Sequence, residues 1–315
     1  MAARRPDRRA AVRHPPGTPG PAQPRHPGQT GGRVIEVLHA GALTTVQDLG
    51  RPGYAHLGVP RSGALDRPAL TLANRLVGNP GQTAGLEITL TGCVLRCTTA
   101  GTIAVTGAPA PVWIGDRPGD CGRPLAVPAG ARVHIGPAQA GLRSYLAVAG
   151  GIAVEPVLGS RATDTLSGLG PAPLRDGDRL PVGPATAPPA PVDFTPTVSP
   201  GAELRLRIHL GPRDDWFTDT AIDRLLRTAY TVSPVSNRVG ARLTGATLPR
   251  AVAGELPSEG LVLGAVQVPA DGQPLVFLAD HPTTGGYPVI AVLDDPTPLA
   301  QARPGTIVRF HGPQR

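Results

Sequence analysis

Apolar residues along this chain recur mostly in short runs of period two, each cut off by Gly or Pro before a long helix could form. The segments 34–38, 86–90, 102–105, 132–135 and 144–148 read as strands on that basis. The run 204–210, LRLRIHL, alternates strictly and so predicts a strand with one buried face. Further strands are expected at 261–268, 275–279, 288–293 and 306–310. Two stretches switch to a helical period. After Asp66, a good N-cap, Leu65, Ala69, Leu72 and Leu76 fall on one stripe, Pro68 sits in the first turn, and Gly78 and Pro80 end the element. Asn74 and Arg75 lie off that stripe. A second helix is expected from about Thr218 to Arg227, with Ala221 and Leu225 on its apolar side. Closely spaced short strands with few short helices imply a mainly β fold built from barrels.

Composition supports this. With 41 Gly and 39 Pro in 315 residues, about a quarter of the chain is turn-forming, while 40% hydrophobic residues suffice for a core. A proline-rich connector between Pro181 and Pro200 divides the chain, so the expected organisation is a tail at 1–33, a first β domain at 34–190, a linker at 191–200 and a second β domain at 201–315. The tail is rich in Pro, Arg and Gly without periodicity and is expected to be disordered. Initiation near Val34 is the competing expectation, and N-terminal sequencing of the native protein separates the two.

The net charge of +7 is unevenly spread. Seven arginines against Asp7 give residues 1–33 a net +6, which leaves +1 for everything after. A nearly neutral body with 3% aromatic residues argues against nucleic acid as its partner. All 30 basic side chains are arginine. The absence of lysine excludes a Schiff base, a P-loop lysine and a biotin- or lipoate-carrying lysine, so any phosphate must be met by arginine, backbone N–H or metal. Cys93, Cys97 and Cys121 have no zinc or disulfide spacing and read as buried thiols. No apolar run reaches membrane-spanning length and no signal region follows the tail's arginines, so the expected location is the cytoplasm.

Candidate chemistry is densest at 43–79. There Gln47, Asp48, Arg51, Arg61, Ser62 and Asp66 alternate with Gly50, Gly53, Gly58 and Gly63, and a helix start follows. A second polar cluster holds Ser160, Arg161, Thr163 and Asp164. A third, 280–288, offers Thr283, Thr284, Gly285, Gly286 and Tyr287, donors suited to a carboxylate or another anion on backbone N–H groups. Ser258 and Glu259 precede a strand that carries Gln267. Together Asp48, Asp66, Glu87 and Glu259 form a set of acids able to share Mg²⁺ with phosphate oxygens.

TTVQDLGRPGY, GVPRSGALD, LANRLVGN, LEITL, RSYLAVAGGI, VLGSRATD, SEGLVLGAVQVP and TTGGYP occur in that order between Val34 and Phe310. With these motifs the chain resembles the allophanate hydrolase subunit 2 family, which includes the C subunit of 5-oxoprolinase and the carboxyltransferase half of urea carboxylase. The resemblance implies two cyclophilin-like β-barrels. It also implies a part in the ATP-dependent opening of 5-oxoproline to glutamate, with two partners: the B subunit of 5-oxoprolinase, a homologous protein of the allophanate hydrolase subunit 1 type tied to activation of the lactam by phosphorylation, and a separate A subunit that completes the opening. On that reading Asp48, Arg51, Asp66 and Glu259 are the catalytic candidates, with Mg²⁺ on Asp48, Asp66 and Glu259. Gln47, Arg61, Ser62, Asn74, Arg161, Ser258, Gln267 and the 283–287 loop are the substrate- and phosphate-binding candidates. The family leaves two alternatives open. One is the carboxyltransferase part of a urea-type enzyme whose biotin is carried on another chain. The other is a non-catalytic regulator that binds a subunit 1-like kinase inhibitor.

Overall fold

A computed structural model describes residues 32–196, 201–254 and 256–312. The tail expectation therefore lies outside the described residues, as does part of the expected linker. Arg33–Arg315 forms one compact unit. It is mainly β, organised as two barrel-like halves with two α-helices and three short 3-10 turns among the described residues.

The first half is flattened, its strands pairing as two sheets. Six strands run in the spatial order Arg179–Pro181, Val34–His39, Cys93–Cys97, Arg132–Ile135, Val112–Ile114, Arg117–Gly119. The other five run Leu43–Gln47, Gly85–Thr89, Arg143–Val148, Gly101–Gly107, Leu125–Val127. Ile35, Val37 and Leu95 from the first sheet pack on Val46, Leu86 and Val105 from the second. Cys93 and Cys97 stand at the two ends of one strand and are both buried, and burial pushes the Cys93 thiol up to about 12. Cys121 is half-buried.

Helix α1, Arg67–Leu76, starts where the sequence pattern puts it: the Asp66 carboxylate accepts from the Ala69 N–H at 3.0 Å. It packs on the outer face of the five-stranded sheet, through Ala73 and Leu76 on Ala104 and Ala147, and through Ala69 and Leu70 on Tyr145. The strand Arg143–Val148 is consequently buried on both faces, which explains its unbroken apolar run. Asn74 departs from expectation. It is fully buried, its amide donating to the Thr83 carbonyl and accepting from Asn79, so it ties down the turn after α1 rather than facing a ligand.

In the second half seven strands close a barrel in the order Glu203–Leu210, Val289–Leu293, Ala265–Gln267, Leu275–Phe277, Gly240–Thr244, Ala229–Val232, Ile307–His311. A parallel pairing of Glu203 with Ile307 shuts the ring. Leu206 and Ile208 of the alternating run point inward, as its pattern requires. Helix α2, Asp219–Arg227, is capped by Thr218 and buries Ala221, Ile222 and Leu225. The strand expected over 261–268 shortens to Ala265–Gln267 because Gly264, at φ +83°, turns the chain first. Leu65, from the first half, is built into the core of the second.

Candidate functional site

The 43–79 stretch and the 159–164 cluster, separate in sequence, form one network. The Asp48 carboxylate accepts from the Gly50 N–H (2.8 Å), the Ser160 hydroxyl (2.6 Å) and the Arg161 N–H (2.6 Å). Gln47 donates to the Thr163 carbonyl at 2.9 Å. Arg51 is almost fully buried and donates to the carbonyls of Ala162 and Val157, with its Nη1 left without a partner among the described residues. Arg161 turns its side chain back onto the Val154 carbonyl. Gly50 and Gly63 make the crossing possible. Each has positive φ, and a Cβ on Gly63 would come within 2.7 Å of the Gly50 nitrogen.

That crossing delivers Ser62 to the second half. Ser62 holds the left-handed backbone at φ 53°, its N–H donates to the Ala279 carbonyl, and its hydroxyl donates to Asp280 at 2.7 Å. Strain of this kind in a non-glycine residue costs about 1–3 kcal/mol and persists only where its surroundings fix it. Here a buried ionic cluster fixes it. Arg238 makes two bonds to Asp280 (2.9 and 3.0 Å), a third to Glu87 and a fourth to the Gly63 carbonyl at 2.7 Å. Glu87 also accepts from the Tyr145 hydroxyl (2.8 Å) and the Leu65 N–H (3.0 Å). Thr165 donates twice to Asp280. Burial alone would lower the Arg238 pKa, yet Glu87 and Asp280 raise it above the ordinary arginine value. Asp280, which burial alone would raise, is held below the carboxylate range chiefly by Arg238.

Beside the cluster, between segment 59–67 of the first half and 261–263, 278–283 and 295–297 of the second, lies a cleft of about 420 Å³. Leu65, Leu261, Leu263 and Leu278 give it an apolar side. Arg61, Ser62, Arg67, His281 and Thr283 supply polar groups. Neither Arg61 nor Arg67 has an ion-pair partner among the described residues, although Asp295 stands at the same cleft. The Arg67 Nε is buried without an acceptor among the described residues, and burial, with Arg61 adding repulsion, lowers the Arg67 pKa. Two uncompensated guanidinium groups beside an apolar wall can hold a small anion with hydrocarbon bulk.

The expected site residues separate in space. Arg61, Ser62 and Thr283 line the cleft. The 258–260 and 283–287 segments do meet, through an antiparallel pairing of Glu259 with Gly285, and Gln267 packs behind it, donating to the Tyr287 carbonyl. The nest expected there is not formed, because neither Gly285 nor Gly286 adopts the left-handed backbone that curls successive N–H groups onto one anion. Ser258, Thr284 and Tyr287 are exposed, with Arg250 lying 5.9 Å over the Tyr287 ring. Asp66 is occupied as the α1 cap and as acceptor for Gln301. Burial raises its pKa, and those two bonds oppose the shift. Glu259 is clamped by Arg213, which lowers its pKa.

The shared Mg²⁺ site therefore needs correction. Asp48, Asp66 and Glu259 serve three different sets of partners, Glu87 belongs to the Arg238 cluster, and no three metal-ligating side chains cluster among the described residues. These acids form no shared Mg²⁺ site among the described residues. Arg67, Arg238, Asp280 and His281 join the site without having been singled out by the sequence pattern. Asp280 and His281 open the 280–288 stretch, one residue short of the TTGGYP motif, and that position is their signal; Arg238 has none.

The carboxyltransferase domain family, subdomains A and B, matches residues 57–312, a span that includes both walls of the cleft. The chain belongs to that family. Over 282 residues it is 42% identical to the 5-oxoprolinase C subunit of Escherichia coli (strain K12), covering 88% of this chain and 90% of that protein. It is 34% identical to urea amidolyase of Lachancea kluyveri over 306 residues, covering 88% of this chain but only 17% of that much longer protein. The crystal structure of TTHA0988 superposes with a TM-score of 0.82 at 37% identity, covering 93% of this chain and 60% of that one. Both halves are thus a family architecture, and no described helix is long and apolar enough to cross a membrane.

Proposed function

We propose that this chain is the C subunit of an ATP-dependent 5-oxoprolinase, converting 5-oxo-L-proline to L-glutamate together with the A and B subunits of that enzyme. The observation that carries the reading is the fit of the cleft to the substrate class. 5-Oxoproline is a small ring with one carboxylate and one amide. Arg61 and Arg67, which lack protein counter-ions among the described residues, take the carboxylate. Leu65, Leu261 and Leu278 cover the ring methylenes, and Ser62 and Thr283 face the amide. The 42% identity along 90% of the Escherichia coli protein supports the same reading. The acids form no shared metal site among the described residues and the cleft arginines are committed to the carboxylate, so nucleotide and metal are assigned to the partner proteins. Exposed Leu57, Val262 and Leu263 lie at or beside the cleft and offer the B subunit an apolar seat.

The test is steady-state kinetics of the complex reconstituted with the A and B subunits in the cytoplasmic pH range. Losing a charge-assisted hydrogen bond costs about 1.5–3 kcal/mol, so Arg67→Gln should raise KM for 5-oxoproline roughly 10- to 100-fold with kcat little changed. The same substitution should leave binding of 2-pyrrolidinone, the ring without the carboxylate, unaltered. An unchanged KM removes the arginines from the site.

The urea amidolyase match favours a second reading, carboxyl transfer from biotin on another chain to urea. Urea is neutral and leaves the two arginines uncompensated, which ranks this reading second. Urea-dependent turnover with a biotinylated carrier, and none with 5-oxoproline, would reverse the order. A pure regulator predicts a stable complex with its subunit 1-like partner and no ATP consumption.

A further inference from the structure

His281 and Thr283 stand two positions apart on one segment of the cleft wall. Both ends of that segment are tied down. The His281 N–H donates to the Leu278 carbonyl at 3.1 Å, the Thr283 carbonyl accepts from the Leu261 N–H at 2.9 Å, and Pro282 between them has a fixed φ. The two side chains differ in what they offer. His281 Nδ1 sits 2.7 Å from the Pro282 carbonyl oxygen, which can only accept, so Nδ1 carries the hydrogen and the neutral ring has its lone pair on Nε2. Nε2 has no partner among the described residues and stays reachable, although the residue as a whole is only 8% exposed. The Thr283 hydroxyl, also without a partner among the described residues, is free to donate. One short, anchored segment thus presents an acceptor and a donor to the cleft.

Amide geometry selects the ligand. A planar amide inside a five-membered ring is locked cis, so its N–H and C=O project from the same edge, whereas an open-chain trans amide points them in opposite directions. An acceptor and a donor on one rigid segment match the first arrangement and not the second. We infer that His281 and Thr283 read the amide edge of the lactam: Nε2 accepts the ring N–H, and the Thr283 hydroxyl donates to the ring carbonyl oxygen. The inference rests on the oxoprolinase reading and adds to it the residues that tell a lactam from other small rings. With the carboxylate on Arg61 and Arg67, every polar group of 5-oxoproline then has a protein partner. The carbonyl oxygen has two lone pairs, so one remains for the ATP-dependent activation, and ring opening stays with the A subunit. His281 acts here as an acceptor and moves no proton. A lactone of the same shape puts oxygen lone pairs where the N–H was, and the buried acceptor left unpaired opposes its binding.

The experiment measures binding to the full reconstituted complex by calorimetry, without ATP. The two ligands are 5-oxoproline and its γ-lactone analogue, which has oxygen in place of the ring N–H. The parent should hold the lactam about 5- to 150-fold more tightly, the range set by one unpaired buried acceptor. His281→Phe keeps a ring and removes the acceptor. It should erase the preference by weakening the lactam while binding the lactone no worse than the parent does. His281→Gln, which can turn a carbonyl oxygen toward the N–H, should retain the preference. Thr283→Val should weaken both ligands alike, by about 2- to 10-fold, since both have the carbonyl. A purely structural role for His281 would lower both affinities together and leave their ratio unmoved. Parental Kd values within about threefold of one another overturn the inference, as does a His281→Phe complex with the parental ratio. In either case, glutamate formation from 5-oxoproline and ATP by the parent leaves the oxoprolinase reading standing. A parental complex that forms no glutamate overturns both.

Discussion

Asp280 carries its charge in a fully buried position because Arg238 meets it with two parallel bonds and Ser62 and Thr165 occupy the remaining lone pairs. Its pKa is lowered in the folded state, where Arg238 outweighs the opposing effect of burial, so the folded protein holds this carboxyl's proton less tightly than the unfolded chain does. The sign follows from linkage. The contribution is present in full above the ordinary carboxylate value of about 4 and is lost as pH falls below it through the lower folded value. Urea midpoints measured from pH 6 down to pH 3 should fall in that window, and Asp280→Asn should flatten the fall while lowering stability throughout. An unaltered acid limb in that variant would assign the loss to other carboxylates. This cluster was illegible in the sequence. Glu87 and Arg238 are 151 positions apart, and neither hydropathy period nor local spacing can join groups whose only common feature is that a crossing of two glycine turns brings them together. Asp48 was legible as a polar residue in a turn, yet its partners, Ser160 and Arg161, lie 112 and 113 positions away in a second polar cluster that no local pattern joins to it.

At the scale of elements, α1 shows what a local signal can and cannot settle. Its start, stripe and stop follow from capping and periodicity, which depend only on near neighbours, and they match the structure within a residue or two. The function of Asp66 does not follow, because a capping carboxylate and a catalytic one look alike in sequence. The structure gives Asp66 two structural bonds, to the Ala69 N–H and to Gln301. Asn is nearly as good an N-cap as Asp, so Asp66→Asn should change thermal stability by less than about 0.5 kcal/mol, whereas Asp66→Ala should cost about 1 kcal/mol. If Asp66 only caps, kcat of the complex should survive Asp66→Asn; a hundredfold loss with unaltered stability would restore it to the chemistry. The alternating run at Glu203–Leu210 was equally legible, since every second residue had to face the barrel core. Gly264 hid the true length of the next strand, because one positive-φ residue is invisible to an apolar pattern.

At the scale of the molecule, a proline-rich connector suggests two independent units, whereas the interior binds the halves together. Leu65 packs in the second core, Ser62 bonds across to Ala279 and Asp280, and Arg238 spans from Asp280 to Glu87 on the other side of the junction. Among the described residues, Arg238 is the side chain that holds acids from both halves. Replacing a buried ion pair with apolar groups on both sides can be neutral, but removing one member leaves the other charges uncompensated at a cost of about 3–5 kcal/mol. Arg238→Met should therefore leave Asp280 without a cation and Glu87 with only Arg143, 3.5 Å away, lower stability by about the low end of that range and release the Ser62 turn from its strained backbone. The parent should unfold in one calorimetric transition, since each core contains structure that depends on the other. The variant should separate into two transitions, one per half. It should also lose cleft binding before either half melts, because the 59–67 wall is held in place from the second half through Ser62 and Gly63. A single transition shifted down by the full penalty would instead mean that Leu65 and the surrounding apolar contacts carry the coupling, and that the buried charges position the cleft without joining the halves.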